Sequence, residues 1–114
     1  MRQNTEARSN LVFAAVSNPT RRKILELLKD GERQAGEVVA AFPALPQPAV
    51  SRHLKILREA GLVAMSPQAQ RRVYSLQPEK LREVDTWVST YRVFWSGRLE
   101  SLEARLDERE GKER

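Results

Sequence analysis

A mainly α fold (α+β), with five helices and one two-stranded β-hairpin, is what this sequence predicts, and three observations carry it. Apolar residues recur at three- and four-residue spacing in successive stretches, the periodicity of helices with one buried face. Proline, asparagine and glycine fall between those stretches, where helices begin and end. A single region, 62–76, instead holds two short strand-like runs around a turn.

Residues 1–9 are polar and are expected as a flexible tail. Asn10 to Ser17 carries Leu11, Val12, Ala14, Ala15 and Val16, a helix with too little polar face to stand alone in water, so it covers something. Asn18-Pro19-Thr20 then reads as a helix start: asparagine caps free backbone N–H groups, and proline at the first position lacks the N–H that would go unpaired. Ile24, Leu25 and Leu28 share one face of this second helix, and Asp30-Gly31 stops it. A third helix spans about Ala35 to Ala41 and presents Val38 and Val39. Three prolines between Pro43 and Pro48 make a rigid turn. The fourth helix restarts at Pro48, buries Val50, Leu54 and Leu57 at i, i+4 and i+7, and ends at Ala60-Gly61. Leu62–Ser66 and Arg72–Leu76 form the hairpin, with Arg71 and Arg72 near its tip. From Glu79 to about Glu108 a stripe of Leu81, Val84, Val88, Tyr91, Trp95, Leu99, Leu102 and Leu106 gives one amphipathic helix of roughly 45 Å. Ser96-Gly97 is a candidate kink, and 109–114 is a charged tail.

The composition narrows the function. With 114 residues, 40% of them apolar, the chain has one domain's worth of core. No apolar run approaches the ~20 residues of a membrane span, and the start is not a signal sequence, so the cytoplasm is the expected compartment. The absence of cysteine excludes disulfides, thiolate metal sites and thiol nucleophiles. Nor is there a nucleophile–base set or a glycine-rich phosphate loop, so an enzyme is not expected. The net charge of +5 is unevenly placed: residues 1–78 hold 12 Lys/Arg against 6 Asp/Glu, while 79–114 hold 8 against 9. One-sided basicity is the footprint of a surface that meets phosphates.

Helix, proline-bearing turn, then a helix with a polar outer face is the order of a helix-turn-helix, and the hairpin after it makes a wing. At the fourth helix, Gln47-Pro48-Ala49-Val50-Ser51-Arg52-His53-Leu54-Lys55-Ile56-Leu57-Arg58-Glu59-Ala60-Gly61-Leu62-Val63 resembles the ArsR/SmtB family of winged helix-turn-helix repressors. The likeness extends to Asn18-Pro19-Thr20-Arg21-Arg22-Lys23-Ile24-Leu25 and to Tyr74-Ser75-Leu76. Tyr91, Phe94-Trp95, Leu99 and Leu102 resemble its autorepressor (SdpR-like) branch. The resemblance implies a homodimeric repressor that binds double-stranded DNA at an inverted-repeat operator, and its branch points to the protein's own promoter as a target. It implies groove-facing roles for Gln47, Ser51 and Arg52, with Pro48 and Ala49 near the bases and Lys55 toward phosphates. Their chemistry agrees, since Arg pairs with guanine and Gln with adenine. Lys55, Arg71 and Arg72 suit phosphates. His53 has no companion at ligand or triad spacing, so packing or a phosphate contact is its expected role. The run Arg21-Arg22-Lys23 reads as a solvated first turn.

Several positions depart from the family. Pro46 stands where many members place a capping serine. The wing turn has Pro67 and Ala69 in place of a glycine. Gln34-Ala35-Gly36-Glu37 occupies the place of the cysteine motif of metal-sensing members, so neither a metal nor another cofactor is expected.

Residues 10–78 are thus expected as the winged domain and 79–108 as a dimerisation helix, because a helix so long and aromatic cannot be covered by one small protomer. The expected interface is Leu11, Val12, Ala15, Val84, Val88, Tyr91, Trp95, Leu99 and Leu102. The competing reading is a protein-interaction module that uses the aromatic last helix. An effector, small molecule or protein, is left open.

Overall fold

Helix boundaries in this chain follow the capping residues. The computed structural model describes residues 2–113, with side chains described for 6–97, 105 and 106. In order along the chain come α1 (Arg2–Val16), α2 (Pro19–Lys29), β1 (Arg33–Gln34), α3 (Ala35–Ala40), α4 (Gln47–Glu59), β2 (Val63–Gln68), β3 (Arg71–Leu76), a 3-10 turn (Pro78–Leu81) and α5 (Arg82–Glu113). Asn18 Oδ1 accepts the backbone N–H groups of Thr20 at 2.8 Å and Arg21 at 3.1 Å, with Pro19 opening the helix as expected. α4 ends in a left-handed Gly61 (φ 77°), whose N–H reaches Arg58 O at 3.0 Å while Leu62 N–H reaches Leu57 O at 3.0 Å. That pair of bonds is a Schellman motif, and it turns the chain directly into the wing.

The contacts divide the chain into two units, Met1–Val84 and Asp85–Arg114. In the first, one core joins all four helices to the sheet. Ile24, Leu25 and Leu28 of α2, Val38 of α3, and Val50, Leu54 and Leu57 of α4 meet Val12 and Ala15 of α1, Leu62, Val63 and Tyr74. The apolar spacing read from the sequence is therefore the buried set of α2 and α4.

Three elements differ from expectation. α1 begins at Arg2, not Asn10, so the segment expected as a flexible tail is helical from its second residue. Arg2, Gln3, Glu6, Ala7 and Arg8 are all good helix formers, and extending an existing helix needs no new nucleus. The sheet has three strands in the order β1-β3-β2, because Arg33 pairs with Tyr74 and Gln34 with Val73 beside the expected hairpin. Two residues are too few to show an alternating pattern. The last helix starts at Arg82 after the 3-10 turn, continues without interruption through Ser96-Gly97, and reaches Glu113.

β2 and β3 run antiparallel from Val63↔Leu76 to Gln68↔Arg71, which leaves Ala69 and Gln70 as a two-residue turn. Ala69 takes φ 57°, where an L residue pays a steric penalty that glycine escapes. Ala69→Gly is therefore expected to stabilise the fold by about 0.5–1 kcal/mol after glycine's larger entropy loss is counted, or a few degrees in Tm. An unchanged or lower melting temperature would show that this turn carries no strain.

The second unit is the remainder of α5. Trp87, Tyr91, Phe94 and Trp95 are 55%, 44%, 67% and 47% exposed, an exposed aromatic face on α5. The Trp87 and Tyr91 rings meet edge to face, with centroids 5.5 Å apart and planes at 66°. Asp85 and Arg92, both exposed, pair two turns apart along α5. No helix among the described residues is long and apolar enough to cross a membrane.

Candidate nucleic-acid interface

α4 presents its charge because its apolar residues are spent on the core. With Val50, Leu54 and Leu57 buried, the intervening Pro48, Ser51, Arg52, Lys55 and Glu59 are exposed on the opposite side. The helix starts on Pro46, which has no side chain to cap it; its carbonyl accepts from Ala49 N at 3.0 Å and Val50 N at 3.3 Å. Pro48 has no N–H, so these two bonds take up the N–H groups of the first turn beyond Gln47.

Eight of the nine candidate residues line three depressions, and the ninth, Ser51, is exposed on α4 outside those three. Pro48, Ala49, Arg52 and His53 line one with Arg21 and Ile56. Gln47 joins Arg71 and Arg72 of the wing in a second, completed by Gln34, Ala35 and Gly36. Lys55 lies in a third with Arg58, Glu59 and the first residues of β2. All but Ala49 and His53, which are half-buried, are exposed. The sequence reading missed Arg21, Gln34, Gly36 and Arg58. Arg58 was visible in the motif as a basic residue on the polar side. Gln34 and Gly36 carry no charge, and only the pairing of β1 with β3 brings them beside the wing.

His53 Nδ1 lies 3.2 Å from Nη1 of Arg21. Partial burial of the ring, then the positive charges of Arg21 and Arg52, hold its imidazole below the usual histidine range, so the neutral form is favoured there. Arg21 itself is not the solvated first-turn residue that the charge run suggested, for it also binds the end of α1. Arg22 does the same through Val16 O at 2.7 Å. Among the described residues no group of three or more His, Cys, Asp or Glu could hold a metal ion.

The expected interface residues part company. Val12 and Ala15 are 1% and 0% exposed, so they belong to the protomer's own core and offer nothing to a partner. Helical spacing marks an apolar face without saying what covers it. Leu11, 45% exposed, sits on the open side of α1. Val84 packs partly on the core, Val88 is half-buried, and Tyr91 and Trp95 are exposed. Leu99 and Leu102 are within α5, but their side chains lie outside the described residues.

Residues 18–64, from the cap of α2 to the first residues of the wing, match the pattern described as bacterial regulatory protein, arsR family. The Transcriptional repressor SdpR of Bacillus subtilis is 39% identical over 82 residues, covering 72% of this chain and 90% of SdpR. The chain belongs to the ArsR family. A second relative, the HTH-type transcriptional regulator Rv2034 of Mycobacterium tuberculosis, is 38% identical over 95 residues, 83% of this chain and 85% of its own. The fold is shared with the homodimeric winged helix-turn-helix DNA-binding domain of Mb0332 from Mycobacterium bovis, with a TM-score of 0.64 at 24% identity over 80% of this chain and 83% of that one. The family is one of transcription regulators, and the winged helix-turn-helix is its fold here.

Proposed function

We propose that the chain is a sequence-specific DNA-binding repressor, and not an enzyme, that works as a homodimer in the cytoplasm on an inverted-repeat operator, its own promoter among its targets. The observation that carries this reading is the outer face of α4: Ser51, Arg52 and Lys55 exposed together, on a helix whose opposite side is anchored in the core, with Gln47 sharing a cleft with Arg71 and Arg72. In this reading Arg52, Ser51 and Gln47 meet base edges in the major groove, with Pro48 and Ala49 against the groove wall. Lys55, Arg71 and Arg72 meet phosphates, which fixes register and gives salt-dependent affinity, and the neutral His53 packs at the edge of this face beside Arg52.

Dimerisation is supported by the aromatic face of α5 and by Leu11. A two-fold dimer would set two recognition helices about one helical turn apart, roughly 34 Å, and so ask for a palindromic site. That SdpR is named a repressor and the Mb0332 domain homodimeric supports the same reading. A module that bound only other proteins would have no use for the basic, polar face of α4.

Fluorescence anisotropy with DNA from upstream of the chain's own coding sequence, at two salt concentrations, tests the proposal. The expected result is binding that prefers this sequence over scrambled duplex and weakens steeply as salt rises. Equal affinity for both duplexes would reject a sequence-specific repressor.

A further inference from the structure

A helix leaves its last carbonyls without partners. In α1 those carbonyls are taken by the side chain of Arg21, six and seven residues on: Nε donates to Ala15 O at 2.8 Å and Nη2 to Ala14 O at 3.0 Å. The third arm of the same guanidinium, Nη1, lies 3.2 Å from Nδ1 of His53 in α4. Arginine has only donors, so Nδ1 must be the acceptor, and the ring's proton resides on Nε2. One planar, rigid group therefore joins three helices: it grows from α2, grips the end of α1 and holds a ring that neighbours Arg52 on α4. Arg21, His53 and Arg52 line the same depression.

We propose that Arg21 is a positioning residue for DNA reading: by tying the His53 ring to the last carbonyls of α1, it fixes the pitch of the recognition helix and with it the place of the neighbouring Arg52. This rests on the reading of α4 as the DNA-facing helix. Val50, Leu54 and Leu57 hold α4 in the core whether or not the fork is present, so losing the fork frees the outer face without unfolding the helix. The α1 end of the fork carries a second consequence. Leu11 makes α1 part of the proposed dimer contact, so the same guanidinium links the element that spaces two protomers to the element that enters the groove.

The test uses the full chain and a duplex selected by it from a randomised pool, with anisotropy read across a salt series. Arg21→Ala and His53→Phe are each expected to weaken binding to this duplex about fivefold, and the double variant is also expected to lose about fivefold, not twenty-fivefold, because one interaction is removed twice. His53→Asn, which keeps an acceptor near the place of Nδ1, is expected to stay within about twofold of the unaltered chain. The salt slope is expected to be unchanged, whereas a lost phosphate contact would lower it by about 0.9. His53→Phe leaves both α1 bonds of Arg21 in place, so it reports on positioning even if Arg21→Ala proves poorly folded in a thermal melt. Additive losses, a reduced slope in Arg21→Ala, or full affinity in His53→Phe would overturn the inference. Arg52→Ala is run beside them: if it too binds normally, the DNA-facing reading of α4 falls and takes the inference with it, while a loss there alone overturns the inference only.

Discussion

Trp95→Asp is expected to convert the protein into a folded monomer whose affinity for a two-half-site operator is lower by about hundredfold. The core of the first unit draws on residues between Val12 and Val84, so Trp95 contributes nothing to it and the winged domain keeps its fold. On α5 the ring is 47% exposed, within an aromatic face that includes Tyr91 and Phe94. Aromatic anchors at the centre of an interface typically contribute about 2–4 kcal/mol, and a carboxylate placed among apolar rings adds a desolvation cost. Once the protomers separate, each binds its half-site alone, and the gain from tethering two readers, typically about 10²–10⁴, disappears. Sedimentation at micromolar concentration gives the mass, and anisotropy on paired and single half-sites gives the affinity. A variant that remains dimeric would show that the aromatic face of α5 faces something other than a second copy.

Arg52→Ala is expected to lower specific affinity by ten- to hundredfold while barely changing affinity for unrelated duplex, in line with about 1–3 kcal/mol for a bidentate base contact. The side chain is exposed on the side of α4 opposite Leu54 and has no fold role that the alanine would remove. Arg52→Lys is expected to recover only part of the loss, because an ammonium cannot reproduce the two parallel hydrogen bonds of a guanidinium. The salt series separates reading from attraction. A base contact removed leaves the slope in place, whereas a phosphate contact removed lowers it. Equal weakening on all sequences would move Arg52 from the bases to the backbone.

Particular residues show how much of this was legible beforehand. Asn18-Pro19 and Ala60-Gly61 marked their helix ends because capping is local chemistry, settled within a few residues of chain. Val50, Leu54 and Leu57 marked the buried side of α4 by spacing alone, and with it the side left for a ligand. What the sequence hid depends on neighbours distant along the chain. Residues 2–9 include good helix formers but no apolar stripe, so periodicity offers no sign of the helix they join. β1 is two residues long and exists only because β3 lies beside it. Val12 and Ala15 read as an apolar face, which a partner or the protomer's own core can equally cover. Arg21 was hidden in a run of three basic residues. Its contacts lie with a carbonyl six positions back and a ring thirty-two positions ahead.

The short pairing of Arg33 with Tyr74 and Gln34 with Val73 changes the mechanics of the wing. A hairpin attached along one edge swings as a lever about its root. Here the root is laced from a second edge, and the lacing strand runs straight into α3. Compliance is therefore confined to the outer rungs, from Pro67↔Arg72 to the turn at Ala69 and Gln70. In the proposed DNA complex, such a tip follows a groove of varying width, while a push on the base is carried into α3.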